Sequence, residues 1–263
     1  MKKVFLNEFS AFELKNMIQD EEIDSAITVF GSCESHGWHL PLGPDLFVPT
    51  EIARQAALRL SKTVVVPGVP FGTSLHYNHY PLSVTLRFET TIALAEDIFT
   101  SLIEHGIRRI VILNGHDGNI PALEIAARKV KDRFKDAVLV FVPAWWNITG
   151  ARLADMFDVW NGLGHGGEGE TSITMAVRPE LVDVSLAERQ VPEDVMALGS
   201  SPLSSGTSRR SRGRGRRATR RRRRWRRGSG CSGASPILSS IWFRIWRDEI
   251  GTMTTGKGER DLF

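Results

Sequence analysis

One stretch of the chain carries several side chains that could bind a metal ion or move a proton. The segment GSCESHGWHLPLGPD, residues 31–45, contains Glu34, His36, His39 and Asp45 among glycines and prolines. Glu34 and His36 are two positions apart, so both side chains share a face if the segment continues a strand. The turn after them could fold Asp45 back, and its two oxygens could bridge divalent ions about 3.5–4 Å apart. The alternative is a polar loop whose His and Asp cap the following helix.

A second polar turn, ILNGHDGNIPAL, places His116 between an apolar run and an amphipathic one. Glycines on both sides of this histidine let the backbone turn sharply and let a ligand come close. Asp117 could be a ligand or a partner of the following helix N-terminus, with Asn119 as the cap of that helix. Of these side chains, His116 is the one we favour as a ligand.

A third turn, GLGHGGEGETSITMAV, contains His165, Glu168 and Glu170. Acids and hydroxyls are favoured at a helix N-terminus by its unpaired amides, so capping alone could explain any one of these acids. Three polar turns that each contain a histidine and an acid, and that each lead into a helix, are harder to explain by capping. We therefore expect the three turns to form one site.

Two further regions are weaker candidates for contact with a substrate. His76 and Asn78, with the neighbouring His79, lie in the segment FGTSLHYNHYPLSVTL, which we expect to be a loop. Trp145 and Trp146 follow the last predicted strand. Trp146 could form one wall of a pocket, although packing in a core or an interface explains a tryptophan equally well.

The elements that must position these residues alternate along the chain from residue 26 to about residue 178. Short β-branched runs predict four strands, Ala26–Phe30, Thr63–Val66, Arg109–Leu113 and Ala137–Val142. Apolar residues three and four positions apart predict three helices, Phe47–Leu60, Thr90–His105 and Ile120–Phe134. Near-continuous apolar strands are typical of burial on both faces, which indicates an α/β fold, a three-layer α/β/α sandwich with a mostly parallel central sheet. Trp38 and Phe71 are expected to pack rather than to bind.

Two of the polar turns follow predicted strands directly. In open α/β sheets, ligands bind at the carboxyl ends of the strands. The residues of the first and second turns, 31–45 and 114–119, are therefore expected to converge at one edge of the sheet.

Charge is distributed unevenly along the chain. The 34 basic and 30 acidic residues give a formal net charge of +4. Thirteen arginines lie between Arg209 and Arg227, and without them 21 basic residues face 30 acidic ones, a balance of −9. Residues 199–248 are rich in Arg, Ser and Gly, and we interpret them as disordered or as translated out of the natural reading frame. Residues 1–198 are predicted to form the catalytic domain, with 249–263 as its C-terminal remnant.

Genuine arginines in that segment would suggest a different function. They could neutralise nucleic-acid phosphates, and Trp225 could stack on a base. Nothing in the first 195 residues favours this alternative. The two cysteines, Cys33 and Cys231, give no disulfide framework, and no apolar run approaches the roughly 18 residues of a membrane span. The N-terminus lacks the continuous apolar core of a signal peptide, so we expect a cytoplasmic protein with no membrane partner.

Together the three turns resemble the creatininase (creatinine amidohydrolase) family. The family pattern Gly-Ser/Thr-x-Glu-x-His-Gly-x-His-Leu-Pro-Leu-Gly-x-Asp stands at residues 31–45. The turn Asn-Gly-His-x-Gly-Asn stands at 114–119, and His-x-Gly-Glu-x-Glu-Thr-Ser stands at 165–172. The resemblance covers roughly residues 20–195.

The resemblance implies a metal-dependent amidohydrolase with a creatininase-like fold. Glu34, His36, Asp45 and His116 would bind two divalent ions, with Asp45 bridging, and His165 would stand beside the substrate as an acid/base. We expect zinc, with manganese or iron as alternatives, because mixed carboxylate and imidazole ligation suits all three metals. The family also implies a small-molecule amide substrate and a homo-oligomer, frequently a hexamer.

One position departs from creatininase. That enzyme has a ligand Glu two positions after the histidine of the second turn, where this chain has Gly118. We expect Glu168 or Glu170 to supply the carboxylate, and His165 or one of these glutamates to protonate the leaving nitrogen. The departure argues against creatinine itself as the substrate.

The class of reaction is predicted more firmly than the substrate. Relatives that share the glycine include deformylases acting on formamidopyrimidines and a peptidase of redox-cofactor maturation. The resemblance therefore predicts that a water activated by two metals hydrolyses a non-peptide C–N bond in a small cyclic amide or formamide. A catalytically inactive family member is the remaining alternative.

Overall fold

Four parallel strands form the central sheet of the protein, as seen in a computed structural model that describes residues 2–78, 80–146 and 164–188. The strands are β1 (Ser25–Phe30), β2 (Thr63–Val65), β3 (Arg109–Asn114) and β4 (Val138–Val142), and their order in the sheet is β2-β1-β3-β4. All four predicted strands are therefore present, each with ends within one residue of the predicted ones. His79 and the predicted segments 199–248 and 249–263 lie outside the described residues.

Helices cover both faces of this sheet. They are α1 (Ala11–Gln19), α2 (Pro44–Arg59), α3 (Phe88–Glu104), α4 (Ile120–Arg133) and α5 (Glu168–Val177). Buried side chains of α2 and α5 share one apolar cluster with the strands, and those of α3 and α4 share a second cluster on the opposite face. The three-layer α/β/α sandwich is confirmed. Within the described residues, no helix is both long and apolar enough to cross a membrane.

The central strand β1 shows why its sequence is almost continuously apolar. Ile27 and Val29 belong to the cluster beneath α2, whereas Ala26 and Phe30 belong to the cluster beneath α3 and α4. Alternate side chains of a strand point to opposite faces, so a strand covered on both faces has no polar face. Phe30 also meets Phe99 of α3 edge to face, with ring centroids 5.8 Å apart.

The start of α2 and the packing of two aromatic residues differ from the sequence predictions. Helix α2 begins at Pro44 rather than at Phe47, so Asp45 lies in the first helical turn and not in a preceding loop. Proline is favoured at the first helical position because its missing N–H would be unpaired there and its fixed φ suits the helix. The expectation that Trp38 and Phe71 pack is wrong, because these residues are 59% and 42% exposed.

The ends of the two central strands bring the polar turns together. Residue 31 follows β1, and residue 115 follows its neighbour β3, with Phe30 opposite Asn114 in the ladder. A long loop after β2 is held against the first turn by a bridge between Cys33 and Val84. Turns that are far apart in the sequence therefore meet at the carboxyl edge of the sheet.

Candidate metal centre

Asp45 stands at the centre of a buried cluster of acids and histidines. Its Oδ1 is 3.1 Å from His36 Nε2, and its Oδ2 is 3.1 Å from His116 Nδ1. Two groups of three residues therefore meet at this carboxylate: Glu34, Asp45 and His116 on one side, and His36, Asp45 and Glu170 on the other. Within each group, one donor atom from each residue lies within 4.8 Å of the others, so each group could hold a metal ion.

Backbone carbonyls fix which nitrogen each histidine presents. His36 Nδ1 is 3.0 Å from the carbonyl oxygen of Glu34, and His116 Nε2 is 3.0 Å from that of Thr73. Because a carbonyl can only accept, those ring nitrogens carry the protons. His36 Nε2 and His116 Nδ1 then face Asp45 and are the nitrogens that remain to bind an ion.

Glu34 provides an independent test of whether a cation fits. Its side chain is fully buried, and neither carboxylate oxygen has a hydrogen-bond partner. A buried carboxylate without a partner is unfavourable, and metal coordination is one of the few ways to compensate it. Burial raises the pKa of Glu34 to about 7. The environment of this residue fits a metal ligand.

The charges of the cluster also favour a positive centre. Burial lowers the pKa of His116, but the hydrogen bond and charge of Asp45 outweigh it and raise that pKa to about 9. Burial likewise lowers the pKa of His36, but Glu170 and Asp45 raise it well above its usual value. The carboxylates thus favour positive charge at the two histidines. A divalent ion would supply this positive charge in place of the protons.

Glu170 reaches the cluster from the first turn of α5. Its Oε1 is 3.4 Å from His36 Nε2, and its Oε2 accepts a hydrogen bond from Gly166 N at 2.5 Å. Gly166 has a φ of +62°, and a Cβ there would lie 2.6 Å from the carbonyl oxygen of His36. Glycine is therefore required where the backbone passes over His36. Glu170 combines the two roles that its sequence suggested, a partner of backbone amides and a candidate ligand.

Glu168 occupies a different position on the same helix. It is the first residue of α5, and it belongs to none of the three donor groups found among the described residues. Two residues after it, the helix turns Glu170 towards His36. Helix α5 is also tied to the first polar turn, since His39 Nε2 lies 2.9 Å from Thr171 Oγ1.

Gly118 lies where the backbone leaves no room for a side chain. A Cβ at this position would lie 2.0 Å from the carbonyl oxygen of Thr73 and 2.6 Å from His116 Nε2. These two atoms form the hydrogen bond that orients His116. With this backbone, a glutamate at position 118 would break the contact on which the histidine depends.

His165 lies beside the cluster. One of its ring nitrogens contacts a backbone carbonyl, and the other is directed towards Glu34. Its Nε2 is 2.6 Å from the carbonyl oxygen of Ser35, and its Nδ1 is 3.7 Å from Glu34 Oε1. Glu34, His36 and His165 form the third group of donor atoms. Burial and the neighbouring His36 lower the pKa of His165, which favours a neutral imidazole.

Two residues that contact the cluster, Ser32 and Tyr77, were not predicted from the sequence as part of the site. Ser32 Oγ donates to Asp45 Oδ2 at 2.7 Å inside the protein. Tyr77 stacks on the ring of His165, with centroids 4.1 Å apart. The serine inside the first motif and the aromatic residue in HYNHY were visible in the sequence, but neither indicates a contact across the fold.

Asn119 has a role other than the predicted one. Its side chain does not cap α4. Instead, Asn119 Nδ2 donates to the carbonyl oxygen of Gly31 at 3.0 Å, and Oδ1 accepts from Thr73 N at 2.9 Å. The cap prediction is wrong because these long-range partners compete for the same amide.

The predicted substrate contacts are only partly gathered here. His76 and Asn78 are exposed on the turn that carries Tyr77, and Asp117 is exposed at the start of a short 3₁₀ turn, Asp117–Asn119. Trp146 lies against the core, with its ring edge to face with Trp145 at a centroid distance of 5.6 Å. A role in substrate binding stays a prediction for all four residues (His76, Asn78, Asp117 and Trp146).

Known proteins resemble this chain over most of its length. A creatinine amidohydrolase of Pseudomonas putida is 28% identical over 198 residues, which span 70% of this chain and 75% of that protein. A mycofactocin precursor peptide peptidase of Mycobacterium ulcerans is 27% identical over 172 residues, 60% of each chain. A crystal structure of creatinine amidohydrolase superposes with a TM-score of 0.75 at 21% identity, covering 96% of this chain and 97% of that one, which shows a shared fold.

A family model shows to which family the chain belongs. The creatininase family, described as creatinine amidohydrolase, matches residues 7–236. This match extends beyond residue 198, and the predicted domain boundary there stays a prediction. Because the match spans most of the sequence and includes all three polar turns, the chain belongs to the creatininase family of hydrolases.

Proposed function

We propose that this protein is a dinuclear metal-dependent amidohydrolase that cleaves a non-peptide C–N bond in a small cyclic amide or formamide. The observation that carries the proposal is the position of Asp45, which presents one oxygen to each of two groups of donor atoms. A carboxylate shared in this way suits two ions held side by side. In this proposal, Glu34 and His116 complete one site, and His36 and Glu170 complete the other.

In this proposal the ions are zinc, with manganese or iron as alternatives. Carboxylate oxygens and imidazole nitrogens together are acceptable ligands for all three metals. Solved creatininases of similar fold include an Mn form and a Zn–Zn form, which supports this choice. When bound, two such ions supply an activated water and polarise the scissile carbonyl.

His165 is the residue to which we assign proton transfer. Its Nε2–H is held by the carbonyl oxygen of Ser35, so Nδ1 carries the free lone pair. A neutral imidazole can accept a proton from the attacking water at Nδ1 and pass it to the departing nitrogen. Glu170 is less suited to this step, because both of its oxygens are already engaged. Glu168 stays a weaker candidate.

The proposal gives the chemical class of the substrate and does not name one compound. One relative is named for creatinine and another for a precursor peptide, so the family admits both small amides and peptides. We place this chain with the small-amide enzymes. A cytoplasmic location and a homo-oligomeric assembly are part of the same proposal.

Metal analysis and a substrate screen test the proposal together. Purified protein should contain about two divalent ions per chain, and His36→Ala should lose at least one of them. Metal-loaded protein is then assayed against cyclic amides, formamides and short peptides, and hydrolysis of a small amide is expected. Protein without stoichiometric metal, or a His36→Ala variant with unchanged metal content, would contradict the metal assignment. Cleavage of peptides alone would contradict the substrate class.

A further inference from the structure

Three stacked rings lie beside the candidate metal centre. His165 stacks on His36, with ring centroids 4.3 Å apart and ring planes 28° apart. Tyr77 covers the opposite face of His165, with centroids 4.1 Å apart and planes only 14° apart. The imidazole to which we assign proton transfer is therefore enclosed between a candidate ligand and a phenol ring.

A hydrogen bond alone would not hold this imidazole in one plane. The single bond from Nε2 to the carbonyl oxygen of Ser35 leaves the ring free to swing about the line of that bond. The side chain of His165 is 31% exposed, and glycines precede and follow it at 164, 166 and 167. Contact with a ring on each face removes this freedom and keeps Nδ1 directed into the site.

Backbone contacts fix the position of Tyr77 itself. It ends the short 3₁₀ turn Leu75–Tyr77, its N–H donates to the carbonyl oxygen of Ser74 at 3.1 Å, and its own carbonyl accepts from Tyr80 N at 2.9 Å. Ser74 N in turn donates to Thr85 Oγ1 at 2.8 Å. The ring is thus presented by a turn that is secured on both sides.

The aromatic face of Tyr77, rather than its hydroxyl, makes the contact with His165. Nearly parallel planes at 4.1 Å bring face against face. The contact with His165 is therefore made by the ring and does not require the hydroxyl group.

We propose that Tyr77 is a positioning residue that holds the His165 imidazole in its reactive orientation by stacking on the face opposite His36. The proposal rests on the proposed proton transfer by His165. In this proposal the ring orients the imidazole and supplies no atom to the donor groups found among the described residues. Removing it should therefore lower kcat about tenfold while KM and metal content stay the same. Tyr77→Phe keeps the ring and should retain wild-type kcat.

A chemical probe tests the orientation without any substrate. Zinc-loaded wild type, Tyr77→Phe and Tyr77→Leu are treated with diethyl pyrocarbonate, and carbethoxylation of His165 is followed by peptide mass spectrometry. His165 should react several times faster in Tyr77→Leu than in wild type or Tyr77→Phe. If Tyr77→Leu does not fold, Tyr77→Met, which fills more of the space without a ring, takes its place. Equal reactivity in all the folded variants would overturn the proposal.

A double-mutant cycle then tests the link to catalysis, with creatinine or whichever amide of the screen is hydrolysed. Tyr77→Leu should lower kcat in the wild-type background and have little further effect in His165→Ala. An equal loss in both backgrounds would mean that Tyr77 acts elsewhere, and a loss in Tyr77→Phe would mean that the hydroxyl is responsible. Either result overturns the proposal. If the wild type hydrolyses no amide, the proposed function fails, and the carbethoxylation rates still decide the role of Tyr77.

Discussion

Side chains of the candidate metal centre are oriented by neighbouring residues that belong to none of the donor groups found among the described residues. Ser32 donates to Asp45, and the carbonyl oxygen of Thr73 accepts from His116. Such partners fix tautomers and aim lone pairs, and their loss weakens metal binding although every ligand remains. The properties of the centre therefore depend on more residues than the ligands.

Removing the Ser32 hydroxyl tests this dependence. Ser32→Ala deprives a buried oxygen of Asp45 of its 2.7 Å hydrogen bond, so zinc affinity should fall about tenfold to a hundredfold. Competition with a chromophoric chelator measures the affinity. Ser32→Thr keeps the hydroxyl and serves as the matched control. An alanine variant that binds zinc as tightly as the wild type would show that the hydrogen bond has no such role.

The two glutamates of α5 give a second test at this scale. Glu170→Gln should lose about one metal ion per chain, because its Oε1 faces His36 within one of the two donor groups. Glu168→Gln, the same chemical change two residues away, should keep both ions. Elemental analysis of the two variants decides between them. The reverse pattern would move the ligand to Glu168.

At the scale of elements, the strands were predicted closely and the start of α2 was not. Apolar runs and β-branched residues mark each strand, because burial on both faces leaves no other composition. The start of α2 was placed at Phe47, although Pro44 is a recognised first-turn residue and lies three positions earlier. The glycines and prolines before it were interpreted as a turn that folds Asp45 back. In the structure, the helix itself carries Asp45 into the site.

Close packing between α2 and the second polar turn leads to a prediction about Gly115. A Cβ at this position would lie 1.9 Å from the carbonyl oxygen of Asp45, a backbone atom that cannot rotate away. Gly115→Ala should therefore displace the start of α2, cost about 1–3 kcal/mol in the free energy of unfolding and weaken zinc binding. Urea denaturation measures the cost.

Gly68 provides the control for this substitution. The nearest atom to a Cβ at Gly68 is the terminal methyl Cδ1 of Leu46, at 2.7 Å. Because the end of a leucine side chain can move, Gly68→Ala should be milder and should leave zinc affinity unchanged. Equal losses for the two variants would mean that the added methyl group, rather than its contact with Asp45, is responsible.

The contacts that the sequence did not reveal are those between distant segments. Tyr77 and His165 are 88 positions apart, and no periodic pattern connects an aromatic residue in a loop with a histidine in a glycine-rich turn. Asn119 was predicted as a helix cap because local rules favour that role. The motifs predicted which histidines and acids would lie close together, but the geometry that orients them depends on how the layers pack.

At the scale of the whole molecule, metal removal should destabilise the fold. The buried Glu34 carboxylate has no hydrogen-bond partner, and the nearest ring nitrogens, those of His116 and His165, are 3.4 and 3.7 Å from its Oε1. A bound cation should therefore compensate this carboxylate better than its present neighbours do. An ion that binds only the folded state at about 100 times its Kd adds about 2.7 kcal/mol to the free energy of unfolding. Unfolding by urea, with zinc or with excess EDTA, measures the difference. The difference should shrink in His36→Ala, and superimposable curves for the wild type would contradict the prediction.

The side chain of Asn119 also has a consequence for the order in which the protein folds. Its amide joins Gly31, 88 positions away, and Thr73, 46 positions away, at the centre of the site. Loops of this length close slowly, and the amide is satisfied only after both have closed. Glu170 must arrive from still further along the chain. With the proposed ligands, metal binding would therefore belong to a late stage of folding, and a chain still emerging from the ribosome would complete the centre only after α5 has been made.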